Sequence, residues 1–244
     1  MKSMTDVKCV QTYVSRMAYC WKNYNNRQIG TVKERVYLLE LAVREVHNLC
    51  GVPITSFGVL GGEDDGSFNR SLWMMKLNHS KINDSMPLDN FMELAKTLYH
   101  EARHAEQHWL VACMVLAVVK RMNSEGYSQE RLRLIKSLSA LPKHIIERAS
   151  NVGNSFNPSA ELYQKIKDWY NSMYVNRFNY DSAIQGIGTN PFADDAETKV
   201  LLHRKAYEAY RFSAHEADAF DIEILVYNGL KALLFPDNRD LIIF

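Results

Sequence analysis

Apolar residues recur at helical spacing along most of the chain. Residues from about 5 to 24 and from about 31 to 50 predict two amphipathic helices, the second carrying Val36, Leu39, Ala42, Val46 and Leu49 on one side and stopped by Gly51 and Pro53. The short run Ile54 to Leu60 predicts a strand. Past the turn Gly61-Gly62-Glu63-Asp64-Asp65-Gly66, the stretch Ser67 to Asn78 alternates and carries aromatic residues, predicting a second strand that pairs with the first across the glycine turn. From Pro87 the period returns to that of a helix, with Leu88, Phe91, Met92, Ala95, Leu98 and Tyr99 apolar. The stripe runs on through Trp109, Leu110, Cys113, Met114, Ala117 and Val118, so one long and largely buried helix is expected. Asn123-Ser124-Glu125-Gly126 breaks it. Ser128 caps a further helix to about Leu141, and a polar loop from Asn151 to Pro158 leads into another running to about Phe178. A second breakpoint falls at Gly186 to Pro191, before a helix from about Asp194 to Leu234 that bends near Ser213. The pattern predicts a mainly α (α+β) fold with a small antiparallel sheet bordering the long helix. With no repeat or long linker, residues 1–244 are expected to form one domain in two lobes.

Inside the long helix stands His100-Glu101-Ala102-Arg103-His104. Four residues advance a helix by slightly more than one turn, so the two imidazoles emerge on one face and can reach a single Zn²⁺ at about 2.0–2.1 Å. Glu101 is placed beside them to contact a water in the fourth position and act as general base. The bare H-E-x-x-H pattern arises by chance in roughly one or two chains per hundred of this composition. Its place on a long apolar helix therefore carries much of the argument. On these residues the chain resembles zinc metallopeptidases. That resemblance makes the strand before the helix a substrate edge, where a peptide adds backbone hydrogen bonds.

Catalytic zinc usually takes three protein ligands. Downstream, His215-Glu216-Ala217-Asp218-Ala219-Phe220 resembles the ligand helix of the gluzincins, the glutamate-ligand zincins. The resemblance implies Glu216 as third ligand and Asp218 as an acceptor that fixes the tautomer of a ligand imidazole. His215, Asp218 and His108 compete with Glu216, His108 because it continues the i, i+4, i+8 series while drifting about 40° further round the helix. Tyr210 and Tyr207 are candidate donors to a developing oxyanion. The spacer between His104 and Glu216 is far longer than in short-spacer gluzincins, so a helical insertion must separate the two ligand helices. The run His100 to Gln107 is also similar to small metallopeptidase domains of bacterial toxins and secretion-system effectors, which implies an immunity protein covering the cleft.

Composition narrows the partners. The 29 basic residues are matched by 28 acidic ones, a net charge of +1, which gives no electrostatic reason to expect nucleic acid. Residues 110–119 are apolar but too few to span a bilayer. Met1 to Val10 lacks the apolar core and cleavage site of a secretory signal, so synthesis in the cytoplasm is expected, with export by a signal-peptide-independent system suiting the effector resemblance. Cys9, Cys20, Cys50 and Cys113 form no C-x-x-C pair and are expected to be reduced and buried. The expected activity is hydrolysis of a peptide or amide bond. An inactive zincin-like module and a helical interaction protein are the alternatives from other classes.

Overall fold

The second helix shows how local sequence sets the elements. Thr31 accepts from the Glu34 amide while the Glu34 carboxylate accepts from the Thr31 amide, a capping box that satisfies two exposed donors. Gly51 closes the other end at φ 69°, a left-handed conformation that glycine adopts without a Cβ penalty. The computed structural model describes residues 2–25, 31–62, 64–83, 86–122, 129–175 and 196–235. Among them the helices are α1 (Val7–Asn25), α2 (Val32–Cys50), α3 (Leu88–Arg121), α4 (Gln129–Ser137), α5 (Lys143–Gly153), α6 (Ala160–Tyr170), α7 (Ala196–Arg211) and α8 (Ala214–Leu234). None of these helices is long and apolar enough to cross a membrane.

The 34-residue α3 is the axis of the fold. It packs against α1, α2, α5, α6 and α8 and against the sheet, so it is buried on nearly every side rather than along one stripe. Tyr13 on α1 ties the layers together by donating to the Ala95 carbonyl at 2.7 Å. α8 lies close against α1 at Gly229, where an added Cβ would stand 3.1 Å from a Val14 methyl. The four cysteines are buried thiols, with Cys9 and Cys50 Sγ atoms 3.5 Å apart and burial raising the pKa of both.

The mainly α (α+β) architecture is as the periodicity predicts, but the sheet is mixed instead of antiparallel. Its strands β1 (Ser56–Val59), β2 (Gly66–Asn69) and β3 (Met74–Leu77) lie in the order β1-β3-β2. β1 runs parallel to β3 with Ser56 opposite Met74, and β2 runs antiparallel to β3 with Phe68 opposite Met75. The single strand expected over 67–78 thus folds back on itself. Asn69 Oδ1 accepts from the Leu72 amide, and Trp73 takes φ 50° while its indole donates to the Pro53 carbonyl. Alternation does not reveal a turn that itself carries large apolar residues, here Leu72 and Trp73. Asn69 was its one local signal, since Asn side chains stabilise such turns.

Other boundaries shift by small amounts. α4 gives way to a 3₁₀ turn at Leu138–Ala140, and α5 is a helix the periodicity did not predict, running through Gly153 into the predicted loop. α6 widens into a π turn at Asn171–Val175. The bend expected near Ser213 is a full break between α7 and α8. The predicted breaks at 123–126 and 186–191 lie outside the described residues.

Candidate metal centre

A helix buried on all sides cannot carry polar residues without partners. α3 nevertheless buries His100, Arg103, Glu106, Gln107 and His108. Their partners come chiefly from α8, from the N-terminal segment and from the π turn, and together these build the site.

His100 and His104 sit one turn apart with their Nε2 atoms 2.9 Å from each other. Glu216, in the first turn of α8, brings Oε2 to 3.3 Å from His100 Nε2 and Oε1 to 3.4 Å from His104 Nε2. Candidate ligand atoms of these three residues all lie within 4.8 Å of one another. In a tetrahedral site with bonds of 2.0–2.1 Å the ligand atoms stand about 3.3 Å apart, close to the distance from each Nε2 to the nearer Glu216 oxygen, although the two imidazoles face different oxygens of that carboxylate. The group could hold a metal ion. The donor set of two imidazoles and a carboxylate suits zinc but also other divalent first-row metals.

Each candidate ligand side chain is held from behind. Glu223 Oε1 lies 2.9 Å from His100 Nδ1, too poorly aligned for a full hydrogen bond but close enough for charge attraction, and Lys96 stands 3.6 Å from the same carboxylate. His104 Nδ1 meets Gln107 Oε1 at 2.9 Å. The Tyr210 hydroxyl donates to Glu216 Oε1. Burial opposes the charged form of His100, but Glu216 and Glu223 outweigh it and push its pKa up to about 9. Burial also opposes ionisation of Glu216, yet His100, His104 and Tyr210 hold its carboxyl well below the ordinary range. Without a metal, the cluster therefore keeps a proton where the cation would sit.

Glu101 points toward the sheet. Its Oε2 accepts from the Phe68 amide on the edge strand β2 at 2.7 Å, which links the expected general base to the expected substrate edge. Among the competitors for third ligand, His215 lies beside the cluster, with Nε2 3.4 Å from Glu216 Oε1 and Nδ1 2.7 Å from Ser172 Oγ. Burial and the neighbouring His104 push the His215 pKa down to about 4, so it is neutral at pH 7. His108 is engaged elsewhere, with Nδ1 2.8 Å from the Tyr174 hydroxyl. Tyr207 is 48% exposed on α7.

Asp218 takes a different part from the one expected. Its carboxylate receives Arg103 Nε at 2.7 Å, Gln107 Nε2 at 3.0 Å and Lys165 Nζ at 2.5 Å, and it reaches His104 only through Gln107. The carboxylate beside a ligand imidazole is Glu223, seven residues beyond Glu216 and two helical turns along the same face of α8. That spacing is legible once Glu216 is taken as a ligand. Gln107 was also within reach, since i+3 from His104 is adjacent on a helix.

No protein-family model, curated protein or solved structure matches the chain. What the site does must therefore be read from its own geometry.

Proposed function

We propose that the chain is a zinc-dependent metallopeptidase in which His100, His104 and Glu216 hold the metal and Glu101 serves as general base. The observation that carries this reading is the convergence of two imidazole Nε2 atoms and a carboxylate on one point, on the same turn that presents Glu101. Two imidazole nitrogens 2.9 Å apart face each other with a hydrogen between them, one N–H donating to the lone pair of the other, and a bound metal would take the place of that hydrogen. Bound there, zinc would polarise a substrate carbonyl and lower the pKa of a water to roughly 7. Glu101 accepts the proton of the attacking water and returns it to the leaving amine. The Phe68 amide orients the Glu101 carboxylate for that exchange. Tyr210, whose hydroxyl donates to Glu216, could serve the developing oxyanion only by turning that hydrogen away from the carboxylate. A peptide lying along β2 is the substrate class this arrangement suits, and an immunity or inhibitor protein of a secreted effector would cover the same face.

The test is elemental analysis of tag-free protein, parent and His104→Ala, together with peptide hydrolysis by the parent and Glu101→Gln. About one zinc per chain that is lost in His104→Ala, with hydrolysis that is lost in Glu101→Gln while zinc is kept, supports the reading. Absence of zinc from the parent at neutral pH after supplementation refutes it. The second reading, a metal-binding module without hydrolysis, is favoured by the low exposure of the three ligand side chains, 8%, 12% and 4%. It predicts stoichiometric zinc and no turnover in either protein.

A further inference from the structure

We propose that Gln107 is a positioning residue that fixes His104 as an Nε2 ligand, and that Asp218 and the His215 carbonyl fix Gln107 in turn. This inference rests on the metal-binding part of the proposed function and not on hydrolysis.

The two ends of the Gln107 amide face different neighbours. One end lies 2.9 Å from the His215 carbonyl oxygen and 3.0 Å from Asp218 Oδ2. A backbone carbonyl cannot donate a hydrogen bond. The Asp218 carboxylate, paired with the Arg103 guanidinium and the Lys165 ammonium, carries no proton to donate either. Both neighbours are acceptors, so the end that faces them is the NH₂, whose two hydrogens serve one acceptor each. The opposite end is then the carbonyl oxygen, and it meets His104 Nδ1 at 2.9 Å. An oxygen facing that nitrogen requires Nδ1 to carry the proton. The lone pair of neutral His104 is thereby left on Nε2, directed at His100 Nε2 and Glu216. A flipped amide would set an oxygen against two acceptors and leave His104 free to place its lone pair on Nδ1, away from the site.

The chain of bonds does not end at Asp218. Arg103 Nη1 donates to Ser3 Oγ at 2.9 Å and pairs with Glu106, whose carboxylate accepts from the Met4 amide. The ligand is thus seated on a continuous buried network between α3, α8 and the N-terminal segment.

Groups that orient a metal-ligating histidine typically contribute about 10–100-fold in metal affinity. The test compares the parent with Gln107→Met, which keeps the side chain's length but offers His104 no acceptor, and with Gln107→Glu, which keeps the acceptor. Zinc affinity is read by chelator competition, and the His104 tautomer by ¹⁵N chemical shifts of the imidazole rings in the metal-free proteins at a pH where the ring is neutral. The expected result is a 10–100-fold weaker Kd for Gln107→Met, with loss of the single Nδ1–H form seen in the parent. Gln107→Glu should retain that form, because an oxygen still faces Nδ1. Parent-like zinc affinity and a single Nδ1–H tautomer in Gln107→Met overturn the proposal while leaving the metal site standing. A 10–100-fold weaker Kd in Gln107→Met with the His104 tautomer unchanged overturns it too and assigns Gln107 a structural role. A parent protein that binds no zinc removes both this proposal and the function it rests on.

Discussion

Arg103 stands between the two histidines of the motif, and replacing it with methionine tests the buried network that frames the site. Its side chain is 1% exposed and its guanidinium serves Asp218 at 2.7 Å, Ser3 at 2.9 Å and Glu106, while lying 4.9 Å from the centre of the Trp169 ring. Methionine fills much of the same volume against Trp169 but returns no charge. Asp218 keeps Lys165 and Gln107, so its loss is partial. Glu106, also 1% exposed, keeps the Met4 amide. Removing one partner of a buried ion pair costs about 3–5 kcal/mol, because a charge is left without compensation in a poor dielectric. At roughly 2–4 °C per kcal/mol for a chain of this size, the metal-free protein should melt about 10 °C lower. The assay is thermal and guanidinium unfolding of metal-free parent and Arg103→Met at pH 7. Adding Glu106→Gln to Arg103→Met should recover about 1–2 kcal/mol, since a neutral amide tolerates burial better than an uncompensated carboxylate. A loss below about 1 kcal/mol in the single variant, or no recovery in the double one, would refute the charge argument and leave only packing on Trp169.

Glu216→Ala should weaken zinc binding by more than the roughly 10–100-fold that follows loss of a group behind a ligand, and parent-like affinity by chelator competition would move the third ligand to His215. Zinc affinity should rise as pH increases toward about 9, because His100 must release the proton that Glu216 and Glu223 stabilise, and a Kd unchanged between pH 6.5 and 9 would contradict this. His47 is buried and its pKa falls to about 4 from an ordinary 6.5, so it contributes stability that is present above pH 6.5 and is lost as pH falls toward 4. Urea unfolding should therefore show metal-free parent losing about 2 kcal/mol more than His47→Leu between pH 7 and pH 5. Thr31→Ala removes the capping box of α2 and should cost about 1 kcal/mol in the same assay, with no change in zinc affinity.

The long helix was legible because its apolar residues recur over eight turns without a breaker, and α3 runs from Leu88 to Arg121 where Pro87 to Val118 predicts it. The grouping of His100 with His104 was legible for the same reason, since helical geometry fixes what lies four residues apart. That Glu216 joins them from 112 residues further on is a matter of tertiary packing between α3 and α8. Periodicity says nothing about that, and only the likeness of the His215 to Phe220 run to a known ligand helix pointed there. The sheet was misread for a related reason. Strand partners are set by long-range pairing, and the parallel alignment of β1 with β3 places β2 outside both, next to Glu101. Glu223 rather than Asp218 stands beside the His100 imidazole because a two-residue spacing turns a side chain about 200° round a helix, whereas seven residues bring it back to nearly the same face.

The polar residues of α3 explain why a candidate metal site and a buried core can share one helix. Burying Arg103, Glu106 and Gln107 is costly unless each finds partners, and those partners lie on α8 and the N-terminal segment. The same bonds that satisfy this cost fix where α8 sits along α3, and so fix Glu216 opposite His100 and His104. Position is then a by-product of polar satisfaction. A variant that breaks the network should shift Glu216 before it unfolds the core, because the apolar packing of Val226 and Leu230 lies three turns further along α8. Metal affinity therefore reports Arg103 and Asp218 through the position of Glu216, in addition to the stability lost with the buried charge pairs.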